Sequence, residues 1–162
     1  MFDVFRGKDV RVIAADISED RLEAAYSAGA DKGIVWPIQA TEEELIAITN
    51  KVGKMDAAFD IVGSPKTFRA CFYSLNNGGT LVPIGLAGGH GVVPLPHIIG
   101  RSIAIRGNRV GDPKELRALV SLVEKEGISV TPPVELFELN KVNEALDLLR
   151  ARKITGRAIF KF

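Results

Sequence analysis

The stretch RVIAADISEDRLEAAYSAGA, residues 11–30, carries one turn of a β–α pattern. Val10 to Ala15 is a short apolar run rich in β-branched residues, as expected of a strand buried in a parallel sheet. It ends on a carboxylate, Asp16. Ser18 then stands where a helix N-cap belongs, with Glu19 and Asp20 favourable in the first turn. Leu22, Ala25 and Tyr26 form an apolar stripe, and Gly29 is a natural helix stop.

The same pattern repeats downstream. KGIVW is a second strand, closed by Pro37, and Thr41 with Glu44 predicts a capping box ahead of Leu45, Ile48 and Val52. AAFDIVG is a strand, and Ser64–Pro65 starts a helix whose buried face is Phe68, Phe72 and Leu75. Asn76 to Gly79 is expected to end that helix, and TLVPIGL to form the next strand. Pro83 removes a ladder donor there and predicts an irregularity or an end of pairing. SIAIRG is a further strand. Asp112 and Pro113 start a helix with Leu116, Leu119, Val120 and Val123 on one face. TPPVELFEL reads as extended, Asn140 as the cap of a helix carrying Val142, Ala145, Leu146 and Leu149, and GRAIFKF as a last strand. Arg150, Arg152 and Lys153 suit that helix's C-terminal end.

Strands alternating with helices predict an α/β fold with a mostly parallel sheet covered on both faces. Ligands of such sheets bind beyond the carboxyl ends of strands. Asp16, Gly63, Gly85 and Gly107 all lie at or just after predicted strand ends.

Composition narrows the function classes. The 162 residues carry a net charge of +1, with 46% hydrophobic and 25% charged residues. No global field argues for nucleic acid or an anionic membrane, and no apolar run reaches the length of a membrane span. MFDVFRGKDV lacks the layout of a signal peptide. Cys71 is the only cysteine, which excludes an internal disulfide framework and a cysteine-rich zinc site. Together these readings predict a cytoplasmic protein. His90 and His97 have no further nitrogen or sulfur ligand close in sequence, so no intrinsic metal site is expected.

Asp16 has two readings. A carboxylate at the tip of a dinucleotide fold's second strand can accept hydrogen bonds from the adenosine ribose and repel a 2′-phosphate, favouring NAD over NADP. It can equally be a turn former ahead of Ser18. Arg21 would lie near the same adenosine. The glycine-rich turn that holds a pyrophosphate does not precede Asp16, where Gly7 is the only glycine. GLAGGHG, Gly85 to Gly91, reads as a turn lining a cleft. Cys71, on the apolar side of its helix, reads as a buried inert thiol.

RVIAADISEDRLEAAYSAGADKGI, DAAFDIVGSPKTF, NNGGTLVPIGLAGG, IAIRGNRVGDPKELRALVSLV and NEALDLLRARKITGRAIFKF, in this order and spacing, resemble the medium-chain, zinc-type alcohol dehydrogenases. The resemblance covers nearly the whole chain and corresponds to the C-terminal half of that longer family. Residues 1–10 look like the tail of the first Rossmann helix. The resemblance implies a Rossmann-like, doubly wound, mostly parallel sheet lacking its first strand and glycine-rich turn. Residues 1–111 would be an incomplete dinucleotide-binding domain, and residues 112–162 a segment returning to the catalytic domain.

By position, the resemblance assigns Asp16 to the ribose, Arg21 to the adenosine, and Ile61, Val62 and Gly63 to the adenine side. Ile84, Gly85 and Leu86 would flank the nicotinamide. Asn108 to Val110 would offer backbone groups to its carboxamide, and Arg157 would reach the pyrophosphate. Arg109 stands where the family usually has an apolar residue. The catalytic zinc belongs to positions outside this sequence, so the chain alone is expected neither to oxidise nor to reduce an alcohol. Zinc-free quinone or enoyl reductases, and a non-catalytic nucleotide-binding or dimerisation module, are the alternatives.

Without the first strand, order 3-2-1-4-5-6 becomes 3-2-4-5-6, itself a stable doubly wound order when relabelled. The sheet is therefore expected to close up, with Val10–Ala15 beside Ala57–Val62. NAD binding by the isolated chain should be weak or absent. The resemblance also implies that Val134, Leu136 and Phe137, on faces the catalytic domain covers in that family, should be exposed, and that a homodimer should form through the Ser102–Gly107 edge strand, as the family's edge strand does.

Overall fold

The alternation predicted from residues 11–30 is present along the described residues, but its strands gather into three separate parallel groups. A computed structural model describes residues 9–127, 133–151, 153–154 and 156–162. Strand β1 (Ile13–Asp16), helix α1 (Glu19–Ser27) and β2 (Lys32–Val35) form one βαβ unit, with Asp16 opposite Val35. Helix α2 (Glu42–Asn50) leads to β3 (Met55–Asp60). Helix α3 (Pro65–Ser74) then leads to β4 (Leu75–Pro83), and α4 (Leu95–Arg101) to β5 (Ala104–Ile105). These three strands form a parallel sheet in the order β3-β4-β5. Helix α5 (Pro113–Glu126) follows, then β6 (Val134–Glu138), α6 (Val142–Arg150) and β7 (Arg157–Lys161), with β6 and β7 parallel. Among the described residues, no helix is long and apolar enough to cross a membrane.

The helix starts follow their local chemistry. Thr41 with Glu44, Ser64 with Thr67 and Asp112 with Glu115 each form a complete capping box, and Pro65 and Pro113 begin their helices. Two caps differ from expectation. The Ser18 side chain caps nothing; instead the Ser18 backbone N–H donates to Asp16 Oδ1 at 3.0 Å, so the acid takes over the entry to α1. Asn140 lies inside a single 3-10 turn, Leu139–Lys141, and Lys141 precedes α6. Asn76 to Gly79 do not follow a helix end in a loop. They lie within β4 as an irregularity, where β3's partner jumps from Leu75, opposite Met55, to Thr80, opposite Ala57. Pro83 is the last residue of β4, as its missing donor requires. The proposed helix tail at residues 1–8, and Arg152, lie outside the described residues.

The sheet does not close up. Among the described residues β1 pairs only with β2, and β3 only with β4, so the predicted pairing of Val10–Ala15 with Ala57–Val62 is absent. The two units are joined by side-chain packing instead. α2 and α3 pack together, tied by the Arg69–Glu42 ion pair at 2.5 Å and by Lys66 Nζ donating to the Ala40 carbonyl at 2.6 Å, so the contact across the break is made by helices and not by strand hydrogen bonds.

One core nevertheless spans the break. Ile34 and Trp36 after α1, Leu45 of α2, Ala70 and Phe72 of α3, Leu75 and Leu81 of β4 and Ile103 are buried together, with Ile13 and Ala58 packed against them. Ala14, Leu22 and Ala30 form a second cluster. Ile13 and Ala14 are neighbours on β1 and point to opposite faces, so β1 is covered on both sides, the doubly wound arrangement. Gly33 lets the Tyr26 ring lie against β2, where a Cβ would strike it. The Trp36 indole N–H donates to Thr49 Oγ1 at 2.9 Å, which donates in turn to the Leu45 carbonyl at 2.7 Å.

The C-terminal elements are bare by comparison. No residue of α5 is buried, and Leu116, Leu119 and Val120 are exposed. Val134 and Leu136 of β6 are exposed as expected, while Phe137 turns to Phe160 with ring centroids 6.0 Å apart. The accessible surface is 11108 Å², against about 7,900 Å² for a compact monomer of this mass.

Candidate functional site

Strand β1 delivers Asp16 to its carboxyl end, about one-third exposed. Its Oδ1 accepts from the Ser18 N–H and faces Arg21 Nη1 at 3.6 Å. Among the described residues no hydrogen bond reaches Oδ2. The two readings of this acid are thus compatible: one oxygen does the turn chemistry, and the other can accept from a ligand hydroxyl.

The loops after β3 and β4 meet directly. Gly63 has φ +72°, and a Cβ on it would strike the backbone of Gly85; a Cβ on Gly85 would strike Ile61 and Val62. Only glycine permits this approach on both sides. The Ala87 N–H donates to the Val62 carbonyl at 3.1 Å. Ile61, Val62, Gly63, Ile84, Gly85 and Leu86 therefore form one rim, and Ile61, Val62 and Leu86 expose apolar side chains on it.

Beneath the rim is Asp60, which the sequence reading passed over. It is 2% exposed. Oδ1 accepts from the N–H groups of Val62 (3.1 Å) and Gly63 (2.9 Å), and Oδ2 from the Thr67 hydroxyl (3.2 Å). Its backbone carbonyl accepts from Ile84 (2.9 Å) and Gly85 (3.0 Å). The available signal was the order acid, two apolar residues, glycine at the end of an apolar run.

The remaining candidates lie apart. Asn108, Arg109 and Val110 are exposed in the segment after β5. Val110 has φ +38°, a conformation that costs a β-branched residue about 1–3 kcal/mol. Arg157 is on β7 and its Nη1 donates to the neighbouring Gly156 carbonyl at 3.4 Å. No described contact joins Asp16, Arg157 or the 108–110 segment to the Gly63–Gly85 rim. Cys71 is buried, and desolvation first, then the Asp60 charge, push its thiol up to about 12. At the opposite end of β3, Lys54 is held below its usual value by desolvation and by Arg101. Among the described residues no three His, Cys, Asp or Glu side chains come together to hold a metal ion. These residues do not fit zinc.

A strand-end acid and a glycine-on-glycine rim, on parallel α/β units, agree with the signature of the zinc-binding dehydrogenases, which matches residues 4–125. The chain belongs to that family. It is 30% identical over 152 residues to an alcohol dehydrogenase of Geobacillus stearothermophilus, covering 94% of this chain and 43% of the relative. It is 34% identical over 149 residues to an NAD-dependent alcohol dehydrogenase of Sulfurisphaera tokodaii, covering 91% and 42%. The solved alcohol dehydrogenase of the archaeon Aeropyrum pernix superposes with TM-score 0.81 at 25% identity, covering 97% of this chain and 44% of that one. This family member thus spans less than half the length of these relatives.

Proposed function

We propose that this zinc-binding dehydrogenase chain is the nucleotide-binding portion of an NAD-dependent alcohol dehydrogenase-type oxidoreductase. The observation that carries the reading is the pair of strand-end features: an acid with one oxygen unengaged among the described residues, and a rim where two loops touch through glycines. Ligands of parallel α/β sheets sit at such ends. Oδ2 of Asp16 accepts from the adenosine ribose, with Arg21 beside the adenosine. Ile61, Val62 and Gly63 line the adenine side, and Ile84, Gly85 and Leu86 flank the nicotinamide. Asn108 and Val110 offer backbone groups to the carboxamide, and Arg157 supplies a guanidinium fork to the pyrophosphate. The nicotinamide, when bound, supplies the hydride chemistry.

The break between β1 and β3 falls where order 3-2-1-4-5-6 places the strand that precedes a pyrophosphate turn. NAD binding by the 162 residues is accordingly weak, and the chain alone turns over no alcohol. Residues 112–162 act as the segment returning to a catalytic domain. The open edge of β5, within Ser102–Gly107, serves a homodimer, and the setting is cytoplasmic.

Titrating NAD and NADP while following backbone amide NMR shifts tests this reading. NAD in the millimolar range, about 4 kcal/mol of binding, should move the amides of Asp16, Gly63 and Gly85. NADP should move them less, and Asp16→Ala should remove the difference. No movement at these amides overturns the rim assignment, and micromolar affinity overturns the weak-binding claim.

A further inference from the structure

We propose that Asp60 is the positioning residue of the rim, clamping its two loops into one rigid unit from below. The inference rests on the reading of the rim as a dinucleotide site. Burying a carboxylate is costly unless its oxygens are satisfied. Here three donors converge on it, all from the loop after β3 or the helix that follows. The same residue's carbonyl holds the other loop through Ile84 and Gly85.

This second hold is the next rung of the parallel ladder. Asp60 stands opposite Pro83, so its carbonyl accepts from Ile84, as the Asp16 carbonyl accepts from Trp36 beyond the Asp16–Val35 pair, and Gly85 adds a second donor to the same oxygen. Side chain and main chain of one residue thus set both loops. Gly63 at φ +72° has little conformational restraint of its own. A carboxylate suits the task because its two oxygens can accept from all three donors at once. The result is that Ile61, Val62 and Leu86 keep apolar side chains facing outward on a backbone that cannot relax away from a ligand. Asp60 touches no ligand in this scheme and acts through the loops.

The test uses the full chain with Asp60→Ala and Asp60→Asn, read by amide hydrogen exchange and by the NAD titration. Asp60→Ala should speed exchange at Val62 and Gly63 by about tenfold, the scale of one charge-assisted hydrogen bond, and at Gly85, whose own bond to the Asp60 carbonyl alanine keeps, by a smaller factor passed on through its contact with Gly63, with Phe72 and Leu81 unchanged. NAD binding should weaken by a similar factor. Asp60→Asn, which keeps an acceptor for Val62 and Gly63 and can donate to Thr67, should restore both readouts to within about threefold. A uniform rise in exchange across β3 and β4 shows a merely structural role and overturns the proposal. So does an unchanged Gly85, or failure of the amide variant to rescue. Should Asp60→Ala not fold, Thr67→Val removes the Oδ2 bond together with one half of the α3 capping box, and must speed Gly63 exchange more than Ser64→Ala, which loosens the same box but leaves the Oδ2 bond; no difference between the two overturns the clamp. The exchange data need no ligand, so a wild-type chain that ignores NAD refutes the cofactor reading separately.

Discussion

Helices α3 and α5 begin alike and end differently. Each opens with a capping box and a proline at its first position, Ser64–Pro65 and Asp112–Pro113, and each carries an apolar stripe. α3 buries Ala70, Cys71, Phe72 and Ser74 against β4 and α2, whereas α5 buries nothing. Local signals therefore make a helix in either setting. Burial depends on whether the 162 residues also supply the opposing surface. For α3 they do; for α5 the stripe is written and its counterpart is not among the described contacts.

The contrast can be probed from its largest expected effect downwards. Cys71 on α3 should resist alkylation at pH 8, while a cysteine introduced as Leu119→Cys on α5 should react at the rate of a free thiol. The gap should be about a thousandfold, since the Cys71 thiol moves from 9.0 to about 12. Its pH consequence has a definite sign. Below pH 9 the thiol is neutral in both states. Between 9 and about 12 only the unfolded chain ionises, so stability falls through that window. Equal alkylation rates would show that α3 is as open as α5.

Core truncation follows. Phe72→Ala should cost about 3–5 kcal/mol, and Leu119→Ala less than about 0.5 kcal/mol, both from urea unfolding. A comparable loss at Leu119 would mean that α5 has found a partner, most directly a second copy of the chain, which a concentration series would reveal. Thr49→Val strands the buried Trp36 indole N–H and should cost about 1–3 kcal/mol. Last come the caps. Ser64→Ala should lower global stability by about 1 kcal/mol, while Asp112→Ala, of similar local cost, should only fray α5 in the helical circular dichroism. Equal global losses would couple α5 to the core.

The legible part of the fold was what neighbours in sequence decide. Thr41/Glu44, Ser64–Pro65 and Asp112–Pro113 announced three helix starts correctly, because capping is satisfied within four residues. Pro83 announced the end of β4. Phe72 and Leu75 were named for the core and are fully buried. What failed was non-local. Asn76–Gly79 reads as the end of a helix, and α3 does stop just before it at Ser74, but the stretch then runs within β4 as an irregularity, because pairing with β3 resumes at Thr80. Ser18 reads as a cap, but its side chain makes no cap hydrogen bond, and the entry to α1 is marked instead by Asp16 accepting from the Ser18 backbone N–H. The site was legible in the same measure. The glycine positions 63 and 85 were marked by residue type, but their contact, and the acid beneath them that bonds both loops, depend on two segments more than twenty residues apart.

By itself the sequence determined the alternation of strands and helices, the helix caps, the strand-end acid and the glycines, each set by sterics and hydrogen bonding within a few residues. Tertiary structure alone decided that, among the described residues, β1 and β3 stay unpaired, the two units being joined by the α2–α3 packing and a shared core rather than by strand hydrogen bonds. It also decided that Asp60 belongs to the rim, since a buried carboxylate must find its donors wherever the fold brings them.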